Sequence, residues 1–360
     1  MNKLQVILSL LCFTCCNHSF VQTGKETPGS FIRQQVDSIY NKEGLPGIFV
    51  GILNNGEKQF FNAGFADPGK QMPFDSATLF EIGSITKTFT AYVLTAVLMD
   101  NKISDMDPII KYLPDSVQQN KNLSSISFLS LMNHTSGLPR LPDNMKMVNS
   151  RQPYENYTEA DLFTYLKNCD PKPDGKSNYS NLGGGIAGML AERITGKTYA
   201  QILDKYIFLP FNMVPPGKAI ALTENKSQGY FAKDDKAEYW NMNVLAPAGV
   251  LKLSANEMLT YLQHMCFPGS GNSKAIVDKL TIQTVALSPA IGVGRGWHTF
   301  TAKDRDSIYW HNGGTYGFST FCAFTKDKSK AVIVVINQFN KNAISDGLGV
   351  KIIKKLISEK

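Results

Sequence analysis

The sequence predicts an α/β protein of the α+β type: a central antiparallel sheet formed by both chain ends and flanked by helices, with an all-helical domain inserted between them. Three observations carry this prediction. Alternating β-branched and aromatic runs fill the first part of the chain and return near its end, and the stretch between them is patterned at helical spacing. Each terminal region also supplies one amphipathic helix. At 360 residues the chain has room for two or three domains, or for one large domain with an insertion. The pattern divides into sheet parts at about 30–83 and 285–360 and a helical part at about 84–284. Together they form one unit over 23–345, completed by a terminal helix at 346–360.

The elements follow in order. Met1-Asn2-Lys3 is a short positive start, and Leu4 to Cys16 is a mostly apolar run of 13 residues ahead of polar sequence. A bilayer-spanning helix needs about 20 residues, so the run fits the core of a secretory signal peptide over 1–22. A buried N-terminal helix is the plainer alternative. Phe13-Thr14-Cys15-Cys16 loosely resembles a bacterial lipoprotein cleavage site, which would place a lipid anchor on Cys16. No other stretch approaches the length of a membrane span. The expectation is an exported monomer, periplasmic or associated with the outer envelope.

Ser30 to Tyr40 reads as a helix with Phe31, Val36 and Ile39 on its apolar face. Pro46 to Leu53 and Lys58 to Phe65 read as two strands joined at Asn55-Gly56, the strongest short hairpin signal. Ser84 to Met265 is helical in pattern, with long polar loops at Pro139 to Tyr157 and Asn225 to Glu238. Strands return at Gly294 to Thr301, Ser307 to Trp310, Phe318 to Thr325 and Lys330 to Asn337. A last helix, Ala343 to Lys360, places Leu348, Ile352, Ile353 and Leu356 on one side.

Composition excludes several functions. Basic residues exceed acidic ones by only +7, spread along the chain with no basic block, so nucleic acid is not an expected partner. Beyond the leader, Cys169, Cys266 and Cys322 are too few and too scattered for a disulfide scaffold. They read as small buried apolar residues with at most one bridge. His134, His264, His298 and His311 fall in no ligand-like cluster, so no metal is expected.

Three motifs carry chemistry. In Gly83-Ser84-Ile85-Thr86-Lys87, a spacing of three puts Ser84 and Lys87 on one helical face. A serine hydroxyl becomes nucleophilic when a neighbour takes its proton, and a lysine can do so once desolvation lowers its pKa. At a helix N-terminus the N–H of Ser84 is also free to bind an oxyanion. In Tyr179-Ser180-Asn181, the phenol can act as acid and base, and the amide of Asn181 can orient a carbonyl. In His311-Asn312-Gly313-Gly314, a glycine-bearing strand edge allows a substrate to lie against the backbone, with the Gly314 N–H as a second oxyanion donor. Each motif alone is common in proteins of unrelated function. His134 reads as a structural loop residue bonded to backbone.

Taken together and in this order, Ser-x-x-Lys, Tyr-x-Asn and His-x-Gly resemble the penicillin-recognising serine hydrolases, a family of class C β-lactamases, DD-peptidases and related esterases. Leu131 to Pro139, Ala246 to Val250 and Glu81 to Gly83 resemble further stretches of that family. The resemblance implies the β-lactamase/DD-peptidase-like fold and a serine hydrolase without cofactor. It implies that Ser84, Lys87 and Tyr179 are catalytic and that Asn181, His311, Asn312, Gly313 and Gly314 bind substrate: a β-lactam, a D-amino-acid peptide or an ester. Where the family usually has lysine this chain has His311, which is only partly charged at neutral pH when unperturbed. Carboxylate recognition should therefore be weaker, which favours DD-peptidase or esterase character over efficient β-lactamase activity. Two alternatives stand beside this one: a penicillin-sensing or peptide-binding module that acylates but hardly turns over, and a carboxylesterase with no β-lactam recognition.

Overall fold

The computed structural model describes residues 27–215, 224–301, 307–326 and 328–358. The leader at 1–22, with Cys16, lies outside the described residues. Among them no helix is long and apolar enough to cross a membrane.

Eight strands form one antiparallel sheet in the order β2-β1-β12-β11-β10-β9-β8-β7. The first two are β1 (Gly47–Asn54) and β2 (Glu57–Gly64). The rest come from the far end of the chain: β7 (Val285–Ala286), β8 (Ile291–Val293), β9 (His298–Phe300), β10 (Ile308–Gly314), β11 (Ser319–Thr325) and β12 (Lys330–Ile336). The two ends meet in the β1–β12 pairing, which runs from Ile48 opposite Ile336 to Asn54 opposite Lys330. At the expected hairpin, Asn55 and Gly56 take φ 53° and 89°, the left-handed pair that a tight β1–β2 turn requires.

Alternation along the strands splits the core in two. Ile48, Val50 and Ile52 join Val332, Val334 and Ile336 beneath the two terminal helices, Pro28–Glu43 and Asn342–Ser358, whose Ile32, Val36, Leu348 and Ile352 cover that face. Phe49, Leu53, Ile333 and Val335 face the opposite way, into the core of the helical part. There the helix Thr86–Asp100 is buried on every side from Thr86 to Leu98, as expected of a helix at the centre of a layer. Cys169, Cys266 and Cys322 are buried, and none of them forms a disulfide among the described residues.

Three readings are corrected. The stretch Asn225 to Glu238, expected as a polar loop, contains the hairpin β4 (Gly229–Ala232) and β5 (Asp235–Ala237), turned at Asp234 with φ 62°. The helical part therefore holds strands; β3 (Leu79–Glu81) also pairs with β6 (Lys252–Ser254). The strand expected over Gly294 to Thr301 shrinks to β9, His298–Phe300, because the backbone turns at Gly294-Arg295-Gly296, with Gly296 at φ 74°; β8 ends before that turn, at Val293. There Arg295 is buried in an ion pair with Asp105 at 2.7 Å.

Candidate active site

The turn Gly83–Ile85 leads directly into the helix Thr86–Asp100, so Ser84 stands at the mouth of the most buried helix. Gly83 takes φ 53°, and a Cβ there would lie 2.7 Å from the Gly314 nitrogen. Glycine is needed both for the left-handed backbone and for the close approach. That approach brings the Ser84 turn against the end of β10.

Lys87 is 4% exposed. Its Nζ reaches Ser84 Oγ at 3.1 Å, Asn181 Oδ1 at 2.9 Å and the Ala248 carbonyl at 2.7 Å. Burial holds its pKa well below the usual lysine range, and the nearby charge of Arg140 pushes the same way. Asn181 opens the helix Asn181–Thr195, capped by the Ser180 hydroxyl on the Gly183 N–H. The glycines that follow let this helix press against Lys87.

Tyr179 carries the opposite shift. Burial raises its pKa, only partly offset by its hydrogen bond with Ser84. The Lys87 ammonium position is 4.8 Å from the centre of its ring, and the His134 ring 4.6 Å. A lysine pushed down beside a tyrosine pushed up is how a site separates a proton acceptor from a proton donor.

These residues floor a cleft of about 550 Å³ between the helical part and β10. Ser84, Tyr179, Asn181, Asn312, Gly313 and Gly314 all line it, as do Arg140, Tyr154, Trp240, Trp310 and Asn342. Beyond Trp310, β10 pairs only with β11, so its His311–Gly314 half has one open edge. The Beta-lactamase family model matches residues 30–353.

The chain belongs to the Beta-lactamase family.

A β-lactamase of Escherichia coli (strain K12) is 23% identical over 344 residues, spanning 85% of this chain and 88% of the relative. Among solved structures, a β-lactamase/D-alanine carboxypeptidase from Pseudomonas syringae aligns with a TM-score of 0.77 at 20% identity, covering 91% of this chain and 98% of that one. A class C β-lactamase from Rhodobacter sphaeroides aligns at 0.76 and 21%, covering 90% and 98%. These two likenesses establish the fold.

Within that family fold His311 departs from the sequence expectation. Its side chain is 1% exposed, and its Nδ1 lies 2.6 Å from the Asn312 carbonyl. Burial, reinforced by His298 and Lys87, holds its pKa well below 6.5, so the ring is neutral rather than partly charged. It stands 6.3 Å from the Tyr179 ring and is not among the residues that line the cleft. His134 bonds backbone, as expected: its Nδ1 accepts the Ser180 N–H at 3.3 Å.

Other residues of the site were not visible as such in the sequence. Glu81, noted only as part of a lead-in, is 1% exposed and accepts from the Trp240 N–H and from Thr315 Oγ1 at 2.6 Å. It thereby ties the strand before Ser84 to the residue after Gly314. Tyr154 bonds the Asn181 amide at 3.2 Å from a loop whose path no propensity predicts. Among the described residues no group of His, Cys, Asp and Glu is arranged to hold a metal.

The three histidines predict an acid-sensitive fold. Burial lowers the pKa of His134 to about 3 and that of His298 to about 4, with His311 also depressed. In the unfolded chain each titrates near 6.5. The unfolded state therefore takes up protons first: the stabilisation is complete above pH 6.5 and is lost as pH falls toward the folded values. Stability from urea unfolding is expected to drop between pH 6.5 and 5 by on the order of 1 kcal/mol per pH unit for each histidine. A profile that stays flat down to pH 5 would show that the rings protonate within the folded protein.

Proposed function

We propose that the protein is an exported serine hydrolase that cleaves amide or ester bonds through an acyl-enzyme on Ser84. The observation that carries this reading is the buried Lys87 Nζ, held 3.1 Å from Ser84 Oγ with its pKa depressed. A neutral amine in that place can take the hydroxyl proton as Ser84 attacks a carbonyl carbon. The N–H groups of Ser84 and Gly314 then bind the oxyanion, each worth about a hundredfold or more in rate. Tyr179, kept protonated by burial, gives its proton to the leaving group, and the proton held by Lys87 restores the phenol. Water enters where the leaving group stood and attacks the acyl carbon, losing a proton to the same pair, which returns one to Ser84 Oγ as the acid leaves. Asn181 orients the substrate, Asn312 and Gly313 line the wall along β10, and His311 acts behind that wall as a neutral neighbour of Tyr179. No cofactor takes part. The N-terminal pattern over 1–22 supports export through a secretory signal peptide.

The absence of a charged group at His311 favours peptidase or esterase character over efficient β-lactam hydrolysis. The test is intact-mass spectrometry of the purified protein with a fluorescent penicillin and, separately, with p-nitrophenyl acetate, followed by peptide mapping. An adduct on the peptide containing Ser84 is expected. A penicilloyl adduct that persists for hours would favour a sensor or DD-peptidase, and rapid release a β-lactamase. Ester turnover without a penicillin adduct would favour an esterase. The absence of both an adduct and turnover would refute the reading.

A further inference from the structure

Among the described residues lining the cleft stands one cation, Arg140, whose hydrogen-bond donors the chemistry above does not use. Arg140 lies exposed on the loop after Pro139 and lines the cleft, its guanidinium 5.2 Å from the centre of the Tyr179 ring. Its main chain is fixed, because its carbonyl accepts the N–H groups of Asn181 at 3.0 Å and Leu182 at 3.3 Å. Its side chain is not committed. Among the described residues no carboxylate stands within ion-pair distance of it, whereas Arg33, Arg151 and Arg295 each hold an aspartate and Arg193 bonds the Tyr112 carbonyl.

Outside the oxyanion donors, no other side chain described at the cleft offers an uncommitted positive charge. Lys87 spends its donors on Asn181 and Ala248 and faces Ser84 with its lone pair. His298 and His311 are held neutral by burial. The β10 wall is backed by negative charge: Asn312 donates its amide to Asp346 Oδ2 at 2.7 Å, so an anion laid there would face a carboxylate. Charge complementarity thus runs one way across the cleft, from Asp346 behind β10 to Arg140 beside Tyr179.

We propose that Arg140 determines specificity by binding a carboxylate on the substrate, so that this hydrolase selects esters or amides carrying a negative charge beside the scissile bond. A guanidinium suits the task, since its planar fork can hold a carboxylate in two parallel hydrogen bonds. The proposal rests on the assignment of Ser84 as nucleophile.

The test compares kcat/KM for two matched pairs of esters. Mono-p-nitrophenyl glutarate against p-nitrophenyl valerate places the charge in the acyl group. 3-Acetoxybenzoate against phenyl acetate places it in the leaving group. Wild type is expected to prefer the anionic member of at least one pair, and Arg140→Gln to lower that preference about tenfold or more, chiefly through KM. Arg140→Lys should retain part of it, as a point charge without the fork. A preference ratio that Arg140→Gln leaves unchanged, or equal losses on both members of each pair, would overturn the proposal and assign Arg140 to the electrostatics of Lys87 and Tyr179 instead. Those results leave the serine-hydrolase reading standing. Ester hydrolysis that survives Ser84→Ala would overturn that reading and this proposal with it, whereas a wild type inactive on all four esters would overturn this proposal alone.

Discussion

Replacing Lys87 by methionine is expected to lower kcat on p-nitrophenyl acetate by on the order of a thousandfold or more, as far as Ser84→Ala lowers it, and the double variant should be no worse than either single one. A nucleophile and its base act as one unit, so removing either removes the unit. The geometry leaves Ser84 one nitrogen base in direct reach, the Lys87 Nζ at 3.1 Å. Methionine fills the volume of the lysine stem, which keeps the loss from being one of packing. It leaves Asn181 Oδ1 and the Ala248 carbonyl without their shared donor, at about 1–3 kcal/mol for each buried group. Against that, it relieves the cost of burying a polar amine. Thermal unfolding measured alongside the kinetics separates the two effects. A Lys87→Met enzyme within tenfold of wild type while Ser84→Ala is inactive would move the base to Tyr179.

Much of the fold was legible because its signals are local. Asn55-Gly56 between two apolar runs leaves the chain little choice but a hairpin, and helical spacing alone puts Ser84 and Lys87 on one face. The short hairpin β4–β5 was missed because its strands are three and four residues long and its turn, Lys233-Asp234, lacks glycine. The site was legible only where a motif is contiguous. Bonds such as Thr315 to Glu81, across 234 residues, or Lys87 to the Ala248 carbonyl, across 161, follow from how layers stack. Periodicity does not carry that information. The charge on His311 was misjudged for the same reason. The ordinary pKa of histidine belongs to water, and the sequence does not reveal that the ring is buried among His298, Lys87 and the strand behind it.

Alanine at position 313 is expected to destabilise the protein by about 3 kcal/mol or more, because β10 passes over the turn before Ser84 with no room for a methyl group. A Cβ on Gly313 would stand 2.0 Å from the Ile82 carbonyl oxygen and 2.5 Å from Thr320 Oγ1. The first of these is backbone, which no rotamer change can move aside. Relief requires β10 to lift, and lifting it carries the Gly314 N–H away from Ser84. Loss of stability and loss of turnover should therefore appear together. Two companions calibrate the result. Thr320→Val removes the hydroxyl that clamps Ile82 and Gly313, at 3.0 Å and 3.3 Å, without adding bulk, and should cost about 1 kcal/mol. Gly347→Ala lies in the helix Asn342–Ser358 with nothing within 4 Å of the new Cβ. It should stabilise the protein by about 0.5–1 kcal/mol, since alanine is the better helix former. Urea unfolding of the three variants measures the order directly. If Gly313→Ala unfolds at the wild-type midpoint, β10 does not press on the nucleophile turn, and the second oxyanion donor must come from elsewhere than Gly314.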